Sequence, residues 1–186
     1  MKLTQERLKQ LLSYDPLTGV FVWLEREVRA GSERTDRSWN TRHAGKEAGC
    51  VNNSDGYIQI YVDDIRYAAH RLAVLFQTGN FPQKTVDHVN RIRTDNRWVN
   101  LRECSTAENN RNAGALNTNT SGFKGVFTAT KGRSWFAQIG VDGSQQYLGS
   151  FRTKEEAASA YDEAAISLHG VFANLNFPVR TSGQTP

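Results

Sequence analysis

The sequence predicts an α+β protein of two small domains, on three observations. Short runs that alternate apolar and polar residues, such as 57–62 and 135–141, read as strands. Stretches at 68–78 and 153–168, one amphipathic and one rich in alanine, read as helices. Between them Asn109, Asn110, Asn112, Asn117 and Asn119 fall in a segment with almost no large apolar side chain, which marks a boundary. A length of 186 residues suits that division. At 38% hydrophobic and 23% charged, the composition excludes collagen-like and disulfide-scaffold classes. The longest apolar stretch, 68–76, is interrupted by His70 and Arg71 and is too short to cross a bilayer. With no apolar leader and two cysteines, a cytoplasmic (intracellular) protein with no membrane partner is expected. A net charge of +4 and a pI near 9.2 allow a polyanionic partner without demanding one.

Taken in order, Thr4 caps an opening helix over 4–12, with Leu8, Leu11 and Leu12 on one face. Asp15-Pro16 and Thr18-Gly19 break it, and 20–24 is a strand. Residues 26–46 are polar and basic and read as a long surface loop. Asn53-Ser54-Asp55-Gly56 is a turn before the strand 57–62, Asp63-Asp64 turns again, and a helix over 68–78 stops at Gly79. The domains are expected at 1–112 and 121–178, joined by a linker at 113–120 and followed by a disordered tail at 179–186. In the second domain three short strands, 125–129, 135–141 and 145–151, turn at Lys131-Gly132 and Asp142-Gly143. Thr153-x-x-Glu156 then opens a helix with a capping box. Its Ala157, Ala158, Ala160, Ala164 and Ala165 let the axis lie close against a three-stranded antiparallel sheet.

The chemistry concentrates at 86–112. Val86-Asp87-His88 ends a short strand, Asp95-Asn96 reads as a turn, and 98–104 returns as a second strand. Ser105-x-x-Glu108 is a capping box that places Asn109 in the first turns of a helix. Asp87-His88, Asn100-Leu101-Arg102 and Asn109 resemble the HNH endonuclease family with its ββα-metal finger. His70-Arg71-Leu72, Gly79-x-x-Pro82, Gly45-x-x-x-Gly49 and Gly56-Tyr57 look like the phage and intron-encoded homing branch, so the resemblance covers most of 14–112. Phosphodiester hydrolysis needs a base for water and a cation to neutralise developing charge. The resemblance implies His88 as base, Asn100 as its orienter through the other ring N–H, and Asp87 and Asn109 as oxygen ligands of Mg²⁺ or Mn²⁺. Asn96 rivals Asn100 for the central position, but it sits beside Asp95 in the turn. His70, on a helix beside Leu72 and Leu75, reads as a scaffold residue. No paired CxxC motif is present, so zinc is not expected. Arg93, Arg97 and Arg102 crowd the region as candidate phosphate contacts, with solvated ion pairs the plainer alternative.

Ser121-Gly122-Phe123-Lys124-Gly125-Val126, Trp135-x-Ala137-x-Ile139, Tyr147-Leu148-Gly149-x-Phe151, Ala160-Tyr161-Asp162 and Leu175-Asn176-Phe177-Pro178 form one ordered series. It is similar to the DNA-binding domain of the plant Apetala-two/ethylene-response factors, over 121–178. That resemblance implies a sheet in the DNA major groove, with Lys124, Arg133, Trp135, Gln138 and Tyr147 facing DNA. Phe127, Gln138 and Tyr147 replace the family's usual Arg, Glu and Trp, so the plant sequence preference is not carried over.

Together the two resemblances imply a site-directed endonuclease acting on double-stranded DNA, of homing type, nicking one strand as a monomer. The alternative is a DNA-binding regulator that keeps the HNH scaffold without using it; intact Asp87, His88, Asn100 and Asn109 favour the first reading.

Overall fold

The computed structural model describes residues 3–115, 118–129 and 134–177. Arg133, the turn at Lys131-Gly132 and the tail at 179–186 lie outside them. Among the described residues the architecture is mixed α and β, with five α-helices and four small antiparallel sheets. The chain divides into two compact units, residues 1–106 and 107–186.

In the first unit α1 (Gln5–Leu11) starts where the Thr4 hydroxyl accepts the Arg7 backbone N–H. The expected helix ends one residue early, because Leu12 opens β1 (Leu12–Tyr14), whose alternate residues Leu12 and Tyr14 are buried. β1 pairs antiparallel with β2 (Phe21–Trp23). The segment expected to be a loop at 26–46 contains α2 (Glu33–His43). Apolar periodicity does not announce it, because polar contacts pin its inner face. The Asn40 carboxamide bonds both backbone groups of Arg26, and Asp36 accepts from Arg29 and Ser32.

β3 (Cys50–Val51), β4 (Ile58–Val62) and β5 (Ile65–Ala68) form a second sheet, and α3 (Ala69–Thr78) follows directly. β6 (Thr85–His88) and β7 (Leu101–Cys104) pair in the register Asp87 to Arg102 and His88 to Leu101. Leu8, Leu12, Ile60, Leu72 and Leu75 make the core, joined by Tyr14 stacked on Phe21.

α4 (Thr106–Asn112) falls almost wholly in the second unit, so the division lies ahead of the expected linker. Lys124 Nζ donates to the carbonyls of Arg111 and Ala113, which ties the end of α4 to this unit. β8 (Val126–Thr128), β9 (Trp135–Val141) and β10 (Ser144–Phe151) form a three-stranded antiparallel sheet in the order β10-β9-β8. α5 (Lys154–His169) carries the Thr153–Glu156 capping box read from the sequence. Its Ala157, Ala158, Tyr161 and Ala165 meet Val126, Ala137 and Ile139 in a separate core. At Gly125 a Cβ would come within 2.1 Å of the Tyr161 ring, so only glycine lets strand and helix approach this closely. Asp162 then accepts the backbone N–H groups of Asn176 and Phe177, which folds the chain after α5 back onto the sheet.

Candidate active site and nucleic-acid interface

His88 ends β6, 3% exposed, and its Nε2 lies 3.1 Å from the Asn96 side-chain oxygen. With Oδ1 as acceptor, Nε2–H donates and the lone pair of the neutral ring sits on Nδ1. The role expected of Asn100 therefore falls geometrically to Asn96. Asn100 closes a 3-10 turn, Trp98–Asn100, instead of lying in a strand. Its Oδ1 accepts the Asn90 N–H at 2.9 Å and its Nδ2 donates to the Asp95 carbonyl at 2.7 Å, so it braces the loop between β6 and β7.

That loop is held from several sides. The Asn96 backbone carbonyl accepts the Tyr14 hydroxyl at 2.7 Å, and Trp98 N–H donates to Pro16. A Cβ on Gly19 would lie 2.4 Å from the Asn96 backbone, so the β1–β2 turn packs directly on the residue that holds His88. Asn96 is 1% exposed, and its Nδ2 has no hydrogen-bond partner among the described residues. On the other side of His88, the His70 ring centroid lies 5.1 Å away and Tyr57 5.7 Å away. Burial, reinforced by His88 and Arg71, pushes the His70 pKa down to about 3. Burial also lowers the pKa of His88, against the opposing pull of the Asn96 hydrogen bond and the Asp87 charge.

Asp87 is 7% exposed, and its Oδ2 accepts from Arg102 Nε at 2.9 Å and Nη2 at 2.8 Å. Arg102, a candidate phosphate contact with an ion pair as the plainer alternative, pairs with Asp87, because the β6–β7 register sets the two side by side. Arg97 likewise pairs with Asp95, whose pKa its hydrogen bonds pull down to about 2. Arg93 donates to the Asp55 carbonyl and lies over the Tyr57 ring. Asn109 sits half-buried in α4, in the second unit. Among the described residues no three His, Cys, Asp or Glu side chains converge as a metal cage. A lone carboxylate such as Asp87 is an oxygen donor that suits Mg²⁺, which keeps several waters and substrate oxygens.

In the second unit, strand alternation separates the expected DNA contacts. Trp135 falls on the same face as Ala137 and Ile139 and packs with the α5 core, so it does not belong to the outer face. Gln138 and Tyr147 pair across β9 and β10, with Tyr147 61% exposed. Phe127 and Phe136 stack beside them at 5.4 Å, and Phe136 lies 6.3 Å from Tyr147. Phe136, missed in the sequence, extends that row, and its even spacing from Gln138 was the available signal. Lys124 has its ammonium on the carbonyls of Arg111 and Ala113, not directed outward alone.

Residues 67–111 match the family model for HNH endonuclease. The chain is 50% identical over 58 residues to the dehydration-responsive element-binding protein 2A of Arabidopsis thaliana, covering 30% of this chain and 17% of that protein. It is 32% identical over 158 residues to an ethylene-responsive transcription factor of the same plant, 76% of this chain and 33% of the relative. It is also 45% identical over 73 residues to an ethylene-responsive transcription factor of Lotus japonicus, 38% of this chain and 26% of the relative. The chain carries an HNH element and an Apetala-two-like domain. It spans no more than a third of the length of these relatives. The HNH match runs from β5 to α4 and so includes β6, the loop and β7. No described helix is long and apolar enough to cross a membrane.

Proposed function

We propose that the chain is a metal-dependent DNA endonuclease of homing type that nicks duplex DNA, with His88 as general base. The observation that carries the reading is the buried His88 ring, held at Nε2 by Asn96 and placed beside Asp87 within the segment matched by the HNH model. A neutral imidazole presenting Nδ1 takes a proton from the attacking water. Asp87 would hold Mg²⁺ or Mn²⁺, which when bound neutralises charge on the phosphate and the leaving oxygen. Arg102 steadies the Asp87 carboxylate from the neighbouring strand. Asn100 keeps the loop closed, so that Asn96 reaches the ring. Sequence preference falls to the sheet of the second unit, through Gln138 and Tyr147.

The test is conversion of supercoiled plasmid to nicked circles, with Mg²⁺, Mn²⁺ or EDTA, beside His88→Ala. Metal-dependent nicking that drops roughly 10²–10⁴-fold in His88→Ala is expected for loss of a general base. A second reading, a DNA-binding regulator, draws on the transcription-factor relatives. It takes over if wild type and variant both bind DNA and neither cuts with any metal.

A further inference from the structure

We propose that the outer face of α2 docks on the phosphate backbone of duplex DNA, as a contact surface separate from His88 and from the β8–β10 sheet. The choice of DNA rests on the endonuclease reading above; the surface itself rests on how α2 is built.

The helix has two unlike faces. Inward, Trp39 lies edge-on to Trp23 at 5.4 Å, and the Arg26 guanidinium sits 3.5 Å from the centre of the Trp39 ring. Asn40 bonds the Arg26 backbone, and Asp36, 3% exposed, accepts from Arg29 and from the Ser32 hydroxyl. Those bonds hold the Asp36 carboxyl well below the usual carboxylate range. An isolated helix of 11 residues is marginal in water. This one is kept by its inner anchors.

Outward, the 3.6-residue period gathers Arg34, Arg37, Ser38, Thr41 and Arg42 on one arc, and all five are exposed. Three guanidinium groups and two hydroxyls therefore share a face. The two acids of the helix are turned to other work: Asp36 is buried inward, and Glu33 accepts the Gly31 N–H. Among the described residues none of the three arginines has an ion-pair partner; Arg42 reaches only the Ser38 carbonyl within its own helix. Three other exposed arginines of this unit are met by carboxylates: Arg7 by Asp63, Arg29 by Asp36 and Arg97 by Asp95. On α2 the charge is left uncompensated on a rigidly seated rod. From Arg34 to Arg42 the rod spans about 12 Å at 1.5 Å per residue, a length that reaches across several phosphates. Guanidinium and hydroxyl groups are the donors phosphate oxygens take.

The test uses the full chain and a 30–40 base-pair duplex in EDTA, so that binding is read without cleavage. Affinity is measured against salt for wild type, for Arg34→Gln/Arg37→Gln/Arg42→Gln, and for the same positions changed to lysine. Arg66→Gln/Lys84→Gln, exposed cations elsewhere in the unit, is the control. Each phosphate contact contributes about 0.9 to the slope of log affinity against log salt. The glutamine variant should flatten the slope by about 2–3, weaken binding at least tenfold and shorten the hydroxyl-radical footprint, with circular dichroism unchanged. The lysine variant should recover most of the slope, and the control should keep it. An unchanged slope and footprint in the folded glutamine variant overturns the proposal, as does an equal loss in the control. So does a loss confined to RNA duplexes. Failure here leaves metal-dependent nicking intact, whereas failure of the nuclease reading leaves this salt dependence in place.

Discussion

His70 is the residue with the most to lose on acidification. It is buried against Tyr57 and His88, its Nδ1 lacks a hydrogen-bond partner among the described residues, and its pKa falls to about 3 from an ordinary 6.5. Folding thus requires the neutral ring. The unfolded chain binds a proton between pH 6.5 and 3 that the folded chain refuses, so stability falls as pH drops through that window. Unfolding free energy should decline toward low pH by up to about 1.4 kcal/mol per unit from this one group. Urea melts between pH 7 and 4 should show that slope, and His70→Phe should flatten it; an equal slope in the variant sinks the assignment. The sequence placed His70 as scaffold, and its contacts fit that. It misplaced the partner of His88, because Asn96 beside Asp95 carries every local sign of a turn residue. Asn96 is indeed in a turn region. What local chemistry hides is that the Tyr14 hydroxyl and the Pro16 carbonyl, far away in the chain, fold that loop so its carboxamide points at the ring.

Elements show the same division between local and distant causes. Helices with apolar faces or caps, such as α1, α3 and α5, were legible because their signals lie within one turn. α2 was not, because a cation–π contact and an asparagine clamp from the preceding segment replace the apolar stripe. Strand alternation is legible in β9, and it sets Trp135, which the resemblance places on DNA, half-buried on the face of Ala137 and Ile139. The β1–β2 hairpin, read only as a strand near 20–24, turns out to support the loop of the candidate site. Gly19, at φ 77°, touches the Asn96 and Arg97 backbone there. Gly19→Ala should therefore cost stability through backbone strain of about 1 kcal/mol plus the clash. It should also lower plasmid nicking more than DNA affinity, since it displaces Asn96 and leaves the α2 arginines, Gln138 and Tyr147 in place. Equal loss of both, or neither, counts against the buttress.

At the scale of the molecule, the described residues form two cores that share no residue: Leu8, Leu12, Leu72 and Leu75 in one, Val126, Ile139, Tyr161 and Ala165 in the other. Each is buried within its own unit. Leu72→Ala should remove about 2–5 kcal/mol from the first unit. Hydrogen exchange should then quicken in α3 and β4 while amides of β9 keep their protection; loss of protection in both places would mean the cores unfold together. The division of the molecule also carries a practical consequence, and it comes from the end of α4. The HNH match reaches residue 111, yet the carbonyls of Arg111 and Ala113 accept the Lys124 ammonium, and Asn174 donates to Ala113 as well. A splice at residue 113 would strip Lys124 of a carbonyl it depends on and leave a frayed helix behind. Anyone grafting the sheet onto another protein should cut before Thr106 and carry the short helix along as part of the graft.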